Sequence, residues 1–467
     1  MRPAMKGKRY MRLRGGLMLG GVFVAGLAAG SLAQPLSWAF GQASPSDSTY
    51  QQLSLFGDIL SQIKQNYVID PPTDKLIYNA ANGMLAGLDP HSGYMNARQY
   101  ADMQVQTSGE FGGLGLEVTE ADGLLKVISP IDGTPGAKAG IKPGDIIVEI
   151  NGHSTDGLTL DQAVSQMRGK PGTNITLTLK RNGINTPVHV TLTREVIKID
   201  DVKSRLLTST AGPVGYIRLD SFDENADPHI REAVQRLEAQ AHGNIHGYIL
   251  DLRDNPGGLL DQAVAVSDDF LTSGEIVSTH GRHPEDDQVW YAQDSDIING
   301  APLVVLTNAG TASAAEIVTA ALQQNRRALV LGTKTFGKGS VQTIIPIDNE
   351  GALRLTTALY FTPSGKSIQD YGVTPNVIVS DSATPQDAFS QLRETDLLNA
   401  FTNPTQQKAA PLPPPLPLPP VAASIPHKPP ANWPAFDPTK PSTDFQLQMA
   451  LKLIADMKAS SVTTAAN

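Results

Sequence analysis

Ser313 and Lys338 could together cut a peptide bond without any histidine. Ser313 lies in a run of small residues, Thr307 to Glu316, that leads into an apolar helical pattern of Ile317, Val318, Ala321 and Leu322. Lys338 follows 25 positions later, in the Thr335 to Gln342 segment, after the strand-like Ala328 to Leu331. A serine hydroxyl is a poor nucleophile until a neighbouring base takes its proton. A lysine amine serves as that base only where burial or a nearby positive dipole draws its pKa toward neutrality. Each residue also has an ordinary reading: serines before helices are commonly N-caps, and lysines are commonly solvated. A third reading is a phosphate loop, because Gly332, Gly337 and Lys338 have the right spacing. Its eighth position, however, is Gly339 rather than Ser or Thr, and Val341 to Ile345 continues as a strand where a phosphate loop must open a helix.

These residues belong to a chain of 467 residues, long enough for two or three domains with substantial cores. Six basic residues, Arg2 to Arg14, precede an uncharged apolar stretch from Gly15 to Ala33. That order is the pattern of an export signal. Small residues at Ser31 and Ala33, and again at Gly41 and Ala43, suit cleavage; an uncleaved anchor over 15–33 is the other outcome. In both cases the body of the protein is exported, with the bacterial periplasm as the expected compartment. There is no cysteine, so disulfides, thiol catalysis and thiolate metal sites are excluded. The net charge is −9 and becomes −15 without the six leading positive charges, which argues against nucleic acid and anionic lipid as partners. No cofactor or metal is expected.

Along the chain, Leu53, Phe56, Leu60, Ile63 and Tyr67 form one helical stripe, and Leu76, Ala80, Met84 and Leu88 a second. The second ends at Leu88-Asp-Pro-His-Ser92, where His91 reads as a turn residue beside Pro90. From about Phe111 the texture is β-rich, with a helical pattern at Leu160 to Met167 and a hairpin around Asn182-Gly183. Positions 200–380 alternate strand-like and helical runs, the mark of a mixed α/β core. Thirteen prolines between Pro411 and Pro441 read as a polyproline-II linker. A final amphipathic helix carries Leu447, Ala450, Leu451, Ile454 and Met457, capped by Ser442, Thr443 or Asp444. Its apolar stripe needs a partner, either a second copy of the chain or its own core.

The order of parts from Phe111 to Val196, and the stretch Ala139-Gly-Ile-Lys-Pro-Gly-Asp-Ile-Ile147, resemble a PDZ domain. Such domains add an extended C-terminal peptide to a sheet edge and hold its carboxylate on backbone N–H groups of a Gly-rich loop. By that resemblance the loop is Gly112 to Leu116, with Gly113, Leu114, Gly115 and Leu116 as candidate peptide-binding residues. Taken with Leu88 to Ser92, Gly215 to Leu219, Leu250 to Gly258, the Ser313 segment, Gly337 to Gln342 and Tyr360 to Gly365, the chain resembles the carboxyl-terminal processing (tail-specific) serine protease family from about Leu53 to Val379. The resemblance implies Ser313 as nucleophile, Lys338 as general base and Gln342 as its support. On a strand Lys338 and Gln342 would share a face. It also implies an oxyanion hole made by the N–H of Ala314 and that of Gly257 or Gly258, a choice the sequence leaves open. Arg168 occupies the place of an arginine that in several members links peptide occupancy to alignment of the dyad; an exposed surface arginine is the alternative. Two positions depart from the family: Thr311-Ala-Ser-Ala-Ala315 leaves Ser313 as the one serine there, and Asn376 stands where Asp is usual.

The expected organisation is a signal or anchor over 1–43, a helical region over 44–110, a PDZ-like domain over 111–199, a protease core over 200–382, a Pro-rich linker over 383–441 and a terminal helix over 442–467. The core should be a mixed sheet flanked by helices. Expected partners are protein or peptide substrates with accessible C-termini, an adaptor, and a second copy through the terminal helices. The competing readings are a PDZ-type scaffold without catalysis, and a Ser-His-Asp hydrolase using His280 or His283 with Asp251 or Asp254.

Overall fold

The computed structural model describes residues 47–121, 123–198, 201–293, 295–348, 350–381, 392–404 and 415–457. The expected signal or anchor therefore lies outside the described residues. Among the described residues no helix is long and apolar enough to cross a membrane. Residues up to Pro71 form one compact unit and those from Pro72 a second. The first contains the Asp47–Asn66 helix, closed by Lys64, whose amine donates to Asp70 and to the Pro71 carbonyl.

The second unit is organised around a six-stranded sheet. Its strands run in the order Val202–Ser209, Gly212–Leu219, Gly247–Asp251, Leu303–Thr307, Leu329–Gly332 and Val377–Ile378. The first pair is an antiparallel hairpin and every later pair is parallel. Strands buried on both faces must be apolar throughout, which explains the unbroken runs Tyr248 to Leu250 and Leu303 to Leu306. Side-chain alternation then divides them between two cores. Leu250, Leu303, Val305 and Val330 pack under the Ala226–Gln240, Leu260–Asp268 and Ala314–Gln324 helices. Ile249, Val304, Leu306, Leu329 and Leu331 pack under the terminal Phe445–Ala455 helix.

The apolar stripe of that terminal helix is thus buried against the sheet of its own chain. Its cap is Asp444, whose carboxylate accepts from Leu447 N at 3.0 Å and pairs with Arg253. The described part of the Pro-rich stretch also differs from a bare linker. Ile425 is buried, and Leu416, Val421, Ala422 and Trp433 pack against the same core. The Trp433 ring meets Phe445 edge-on at 4.9 Å. Spaced apolar residues between the prolines find a surface that local composition does not announce.

A second, five-stranded sheet joins Gly93–Asn96, Gly351–Phe361, Glu275–Gly281, Gln288–Tyr291 and Ser340–Ile347. The β-rich module has its own six-stranded sheet and its own core, built on Leu125, Val127, Ile147, Ile175, Leu177 and Leu179. Its entry strand Glu110–Gly113 pairs with its exit strand Glu195–Lys198, closing the insertion at its neck.

Candidate active site

Ser313 opens the Ala314–Gln324 helix with φ 55° and ψ −118°, a backbone region that a non-glycine residue enters only when its surroundings force it. Its hydroxyl does not cap the helix. Glu316 turns back instead, and its Oε2 accepts from the Ser313 N–H at 2.9 Å. The N-cap reading of the serine side chain therefore fails, and the hydroxyl is left to the cleft.

That cleft, about 670 Å³, is lined by Ser313, Ala314, Lys338, Gln342, Arg354, Tyr360 and the turn Pro256 to Leu260, among others. Ser313 and Lys338 share it, although in this resting arrangement no hydrogen bond joins Ser313 Oγ to Lys338 Nζ among the described residues. Among the described residues Lys338 forms no ion pair either. Burial pushes its amine down from 10.5 to about 8, the neighbouring Arg354 guanidinium pushes the same way, and Glu394, Glu316 and Asp89 oppose them. The surface-lysine reading does not fit such a group.

The loop that carries Lys338 is fixed through three consecutive N–H groups. Gly337 N and Lys338 N donate to Glu316 at 2.8 and 3.0 Å, and Gly339 N donates to Gln369 Oε1 at 2.8 Å. These N–H groups cannot also cradle a phosphate, and the chain continues as the Ser340–Ile347 strand, so the phosphate-loop reading fails twice. Glu316 is fully buried and receives Ser313, Thr335, Gly337 and Lys338 together. Burial lifts its pKa to about 7 against the lowering effect of those hydrogen bonds. One carboxylate thus sets the distance between the serine turn and the lysine loop. Sequence reasoning missed it, because an acid three residues into a helix reads as a capping residue.

Gln342 lines the cleft, and among the described residues no hydrogen bond joins it to Lys338. Its amide donates to Ser340 Oγ at 2.9 Å and to Thr356 Oγ1 at 3.2 Å. The strand begins only at Ser340, so Lys338 lies outside it and the alternation expected to bring the two side chains to one face does not reach it. Thr356 in turn donates to buried Asp89, whose carboxylate also accepts from His91 N, Ser92 N and Ser92 Oγ. His91 is indeed in a turn, and its ring reaches Glu394 at 2.9 Å.

Of the two candidate glycines, Gly257 already gives its N–H to Asn255 Oδ1 at 2.8 Å. Gly258 N and Ala314 N have no protein acceptor among the described residues, so the pair open to a ligand is Gly258 with Ala314. Gly257 has another necessity: a Cβ there would lie 2.8 Å from Ser313 Cβ and 2.9 Å from Ala314 N.

The alternative triad is not assembled. His280 pairs with Asp287, Asp251 is held by Arg253 and Tyr216, and none of the four aspartate and histidine candidates lines the Ser313 cleft. Among the described residues no cluster of metal-ligating side chains occurs. Asn376 keeps the acceptor its departure might have removed, taking Val330 N at 2.8 Å on Oδ1.

In the β-rich module, the carbonyls of Leu114 and Gly115 are tied inward by Gly136 N and Ile131 N at 2.8 and 2.9 Å. The N–H groups of Leu114 and Gly115 have no protein acceptor among the described residues. Leu116–Ala121 is an edge strand, and the Leu160–Met167 helix packs near it. Arg168 ends that helix, lies over the Phe111 ring at 4.9 Å and reaches Asp102 at 3.4 Å. Asp102 stands on the Ala97–Ser108 helix, whose Met103, Gln106 and Thr107 line the catalytic cleft.

Comparison with known proteins agrees with this geometry. Residues 213–379 match Peptidase family S41, and residues 126–181 match the PDZ domain. The chain is 52% identical over 333 residues to the "Carboxy-terminal-processing protease" of Bartonella bacilliformis, covering 71% of this chain and 76% of that one. It is 37% identical to the "Carboxy-terminal processing protease CtpA" of Bacillus subtilis, with 72% and 70% covered. The chain belongs to peptidase family S41. As an S41 member it is a serine-type peptidase with a PDZ domain, and its ligands are peptides or proteins. A third S41 relative, the "Carboxyl-terminal-processing protease" of Synechocystis, is 35% identical with 80% and 88% covered.

Proposed function

We propose that this peptidase is an exported endopeptidase that captures protein C-terminal tails on its PDZ domain and cuts them through an acyl-enzyme on Ser313. The observation that carries the reading is the pairing, in one cleft, of a serine held at φ 55° with a buried amine whose pKa is about 8. Neutral Lys338 takes the Ser313 proton as Oγ attacks the scissile carbonyl. The oxyanion forms against Gly258 N–H and Ala314 N–H, which need no reorganisation to receive it. The protonated amine then gives its proton to the leaving nitrogen, and water repeats the sequence on the ester. Glu316 and Gln369 position the base, and Gln342 supports the cleft through Ser340 and Thr356 rather than by a hydrogen bond to the amine.

The tail carboxylate would sit on the N–H groups of Gly113 to Leu116, with the peptide added as a strand beside Leu116–Ala121. Arg168 would report its arrival, since its partner Asp102 belongs to a helix that lines the cleft. Self-association falls to the Asp47–Asn66 helix, where Leu53, Leu55, Phe56 and Ile59 are exposed. An adaptor that delivers substrates, and the periplasm as compartment, complete the reading.

The test uses tagged substrates that differ only in their last three residues, with product ends read by mass spectrometry. Tail-dependent cleavage by the native chain, lost in S313A and in K338A with peptide binding retained, supports the reading. Binding without cleavage by the native chain would make it a scaffold. Substantial activity in K338A would return the histidine alternative.

A further inference from the structure

Tyr360 lines the Ser313 cleft and has no part in the steps assigned to Ser313 and Lys338. It lies on the Gly351–Phe361 strand, 2% exposed, as a member of the main core. Its N–H donates to Gly339 O at 3.0 Å, one residue beyond Lys338, so its backbone is registered on the loop that carries the base. Its side chain reaches the wall of the Ser313 cleft. The phenol oxygen is buried and has no hydrogen-bond partner at normal geometry among the described residues. Ser313 is the hydroxyl near enough to interact with it, yet the pair stops short of a hydrogen bond in the resting arrangement.

A buried phenol without a partner destabilises a fold, and phenylalanine would fill the same space without that cost. A donor aimed at a nucleophile, but not bonded to it at rest, has the properties of a group that acts only when charge develops. Ionisation of the phenol is strongly opposed by burial and by Glu316, so it is a donor and not a base.

Resting on the peptidase reading above, we propose that Tyr360 is a further catalytic residue, its phenol O–H donating a hydrogen bond to Ser313 Oγ while that oxygen carries negative charge. In acylation the Oγ–carbon bond forms as Lys338 takes the Oγ proton and the carbonyl electrons move to the oxyanion hole. In deacylation water adds, its proton goes to Lys338, and the Oγ–carbon bond breaks with its electron pair on Oγ, which regains a proton from Lys338. Tyr360 keeps its own proton throughout.

The experiment replaces Tyr360 by Phe in the full chain. It measures cleavage of a tail-bearing peptide, labelling of Ser313 by a fluorophosphonate, the pH profile and thermal unfolding. A hydrogen bond to a charged oxygen predicts a loss of about 10- to 100-fold in kcat/KM at every pH, with the pH limb unmoved. The melting temperature should stay level or rise. Native rates in Y360F would overturn the proposal, as would a loss confined to one side of the pH limb. Should Y360F unfold, 3-fluorotyrosine at the same position keeps the ring and strengthens the donor, and an unchanged rate there would be equally fatal. Failure of the native chain to be labelled at Ser313, with S313A as control, would instead bring down the peptidase reading itself.

Discussion

Replacing Arg354 by Gln should move the pH dependence of cleavage, and the direction follows from the base. Lys338 works only when neutral, so activity rises with pH through its pKa of about 8. At that value about one amine in ten is neutral at pH 7, against about three in ten thousand for an ordinary lysine, a gain of ~300-fold. Burial supplies most of the shift and the Arg354 charge adds to it. Arg354 is anchored by Nε to the His91 carbonyl at 2.8 Å and is exposed, so solvent screens part of its effect. Removing its charge should raise the Lys338 pKa by a fraction of a unit to about one unit, a loss of ~3- to 10-fold at pH 7. The loss should vanish by pH ~10, where the amine is neutral in both proteins, and the native limb should move upward in high salt. The assay is kcat/KM on a tail-bearing peptide from pH 6 to pH 10. A native profile flat below about pH 8, or an R354Q profile that superimposes on the native one, would refute the reasoning.

Three further outcomes follow from the same contacts. K338M should abolish cleavage yet stabilise the fold by about 1–3 kcal/mol at pH 7, read by denaturant unfolding. The native cost is fully present below about pH 8 and disappears as pH rises through the unfolded value of 10.5, because the folded pKa is the lower one. E316Q should cost about 2–5 kcal/mol and more than about 100-fold in rate, since its NH2 must face either the Ser313 and Lys338 N–H groups or the Gly337 N–H and the Thr335 hydroxyl, all donors to the carboxylate; the checks are unfolding and fluorophosphonate labelling. R168A should change stability by less than about 1 kcal/mol, as a partly exposed pair with Asp102 implies. It should nevertheless lower tail-stimulated cleavage of a short reporter peptide by about 5-fold or more.

Much of this site was legible in the chain because its groups sit in short segments with fixed spacing. The small residues around Ser313 permit the close approach of Gly257, and glycines on either side of Lys338 mark a loop rather than a helix. The terminal helix was legible from its stripe, and its partner was not: only the sheet shows that Ile249, Val304 and Leu306 face it. Glu316 was hidden because its burial depends on a loop some twenty residues away folding over it. The argument from strand periodicity did not reach Lys338, because the strand that carries Gln342 begins only at Ser340. The choice of Gly258 over Gly257 turned on the Asn255 side chain occupying one N–H, which no spacing rule encodes. Tyr360 stood out only as the start of a family motif and Arg354 carried no signal of its own; both line the cleft that their strand borders.

The most direct measurement is titration of the Lys338 amine itself, by NMR of selectively labelled lysine in the S313A protein, with K338M to assign the signal. The account predicts a midpoint near pH 8, rising when Arg354 is replaced by Gln. An amine that stays fully protonated beyond pH 10 would contradict it.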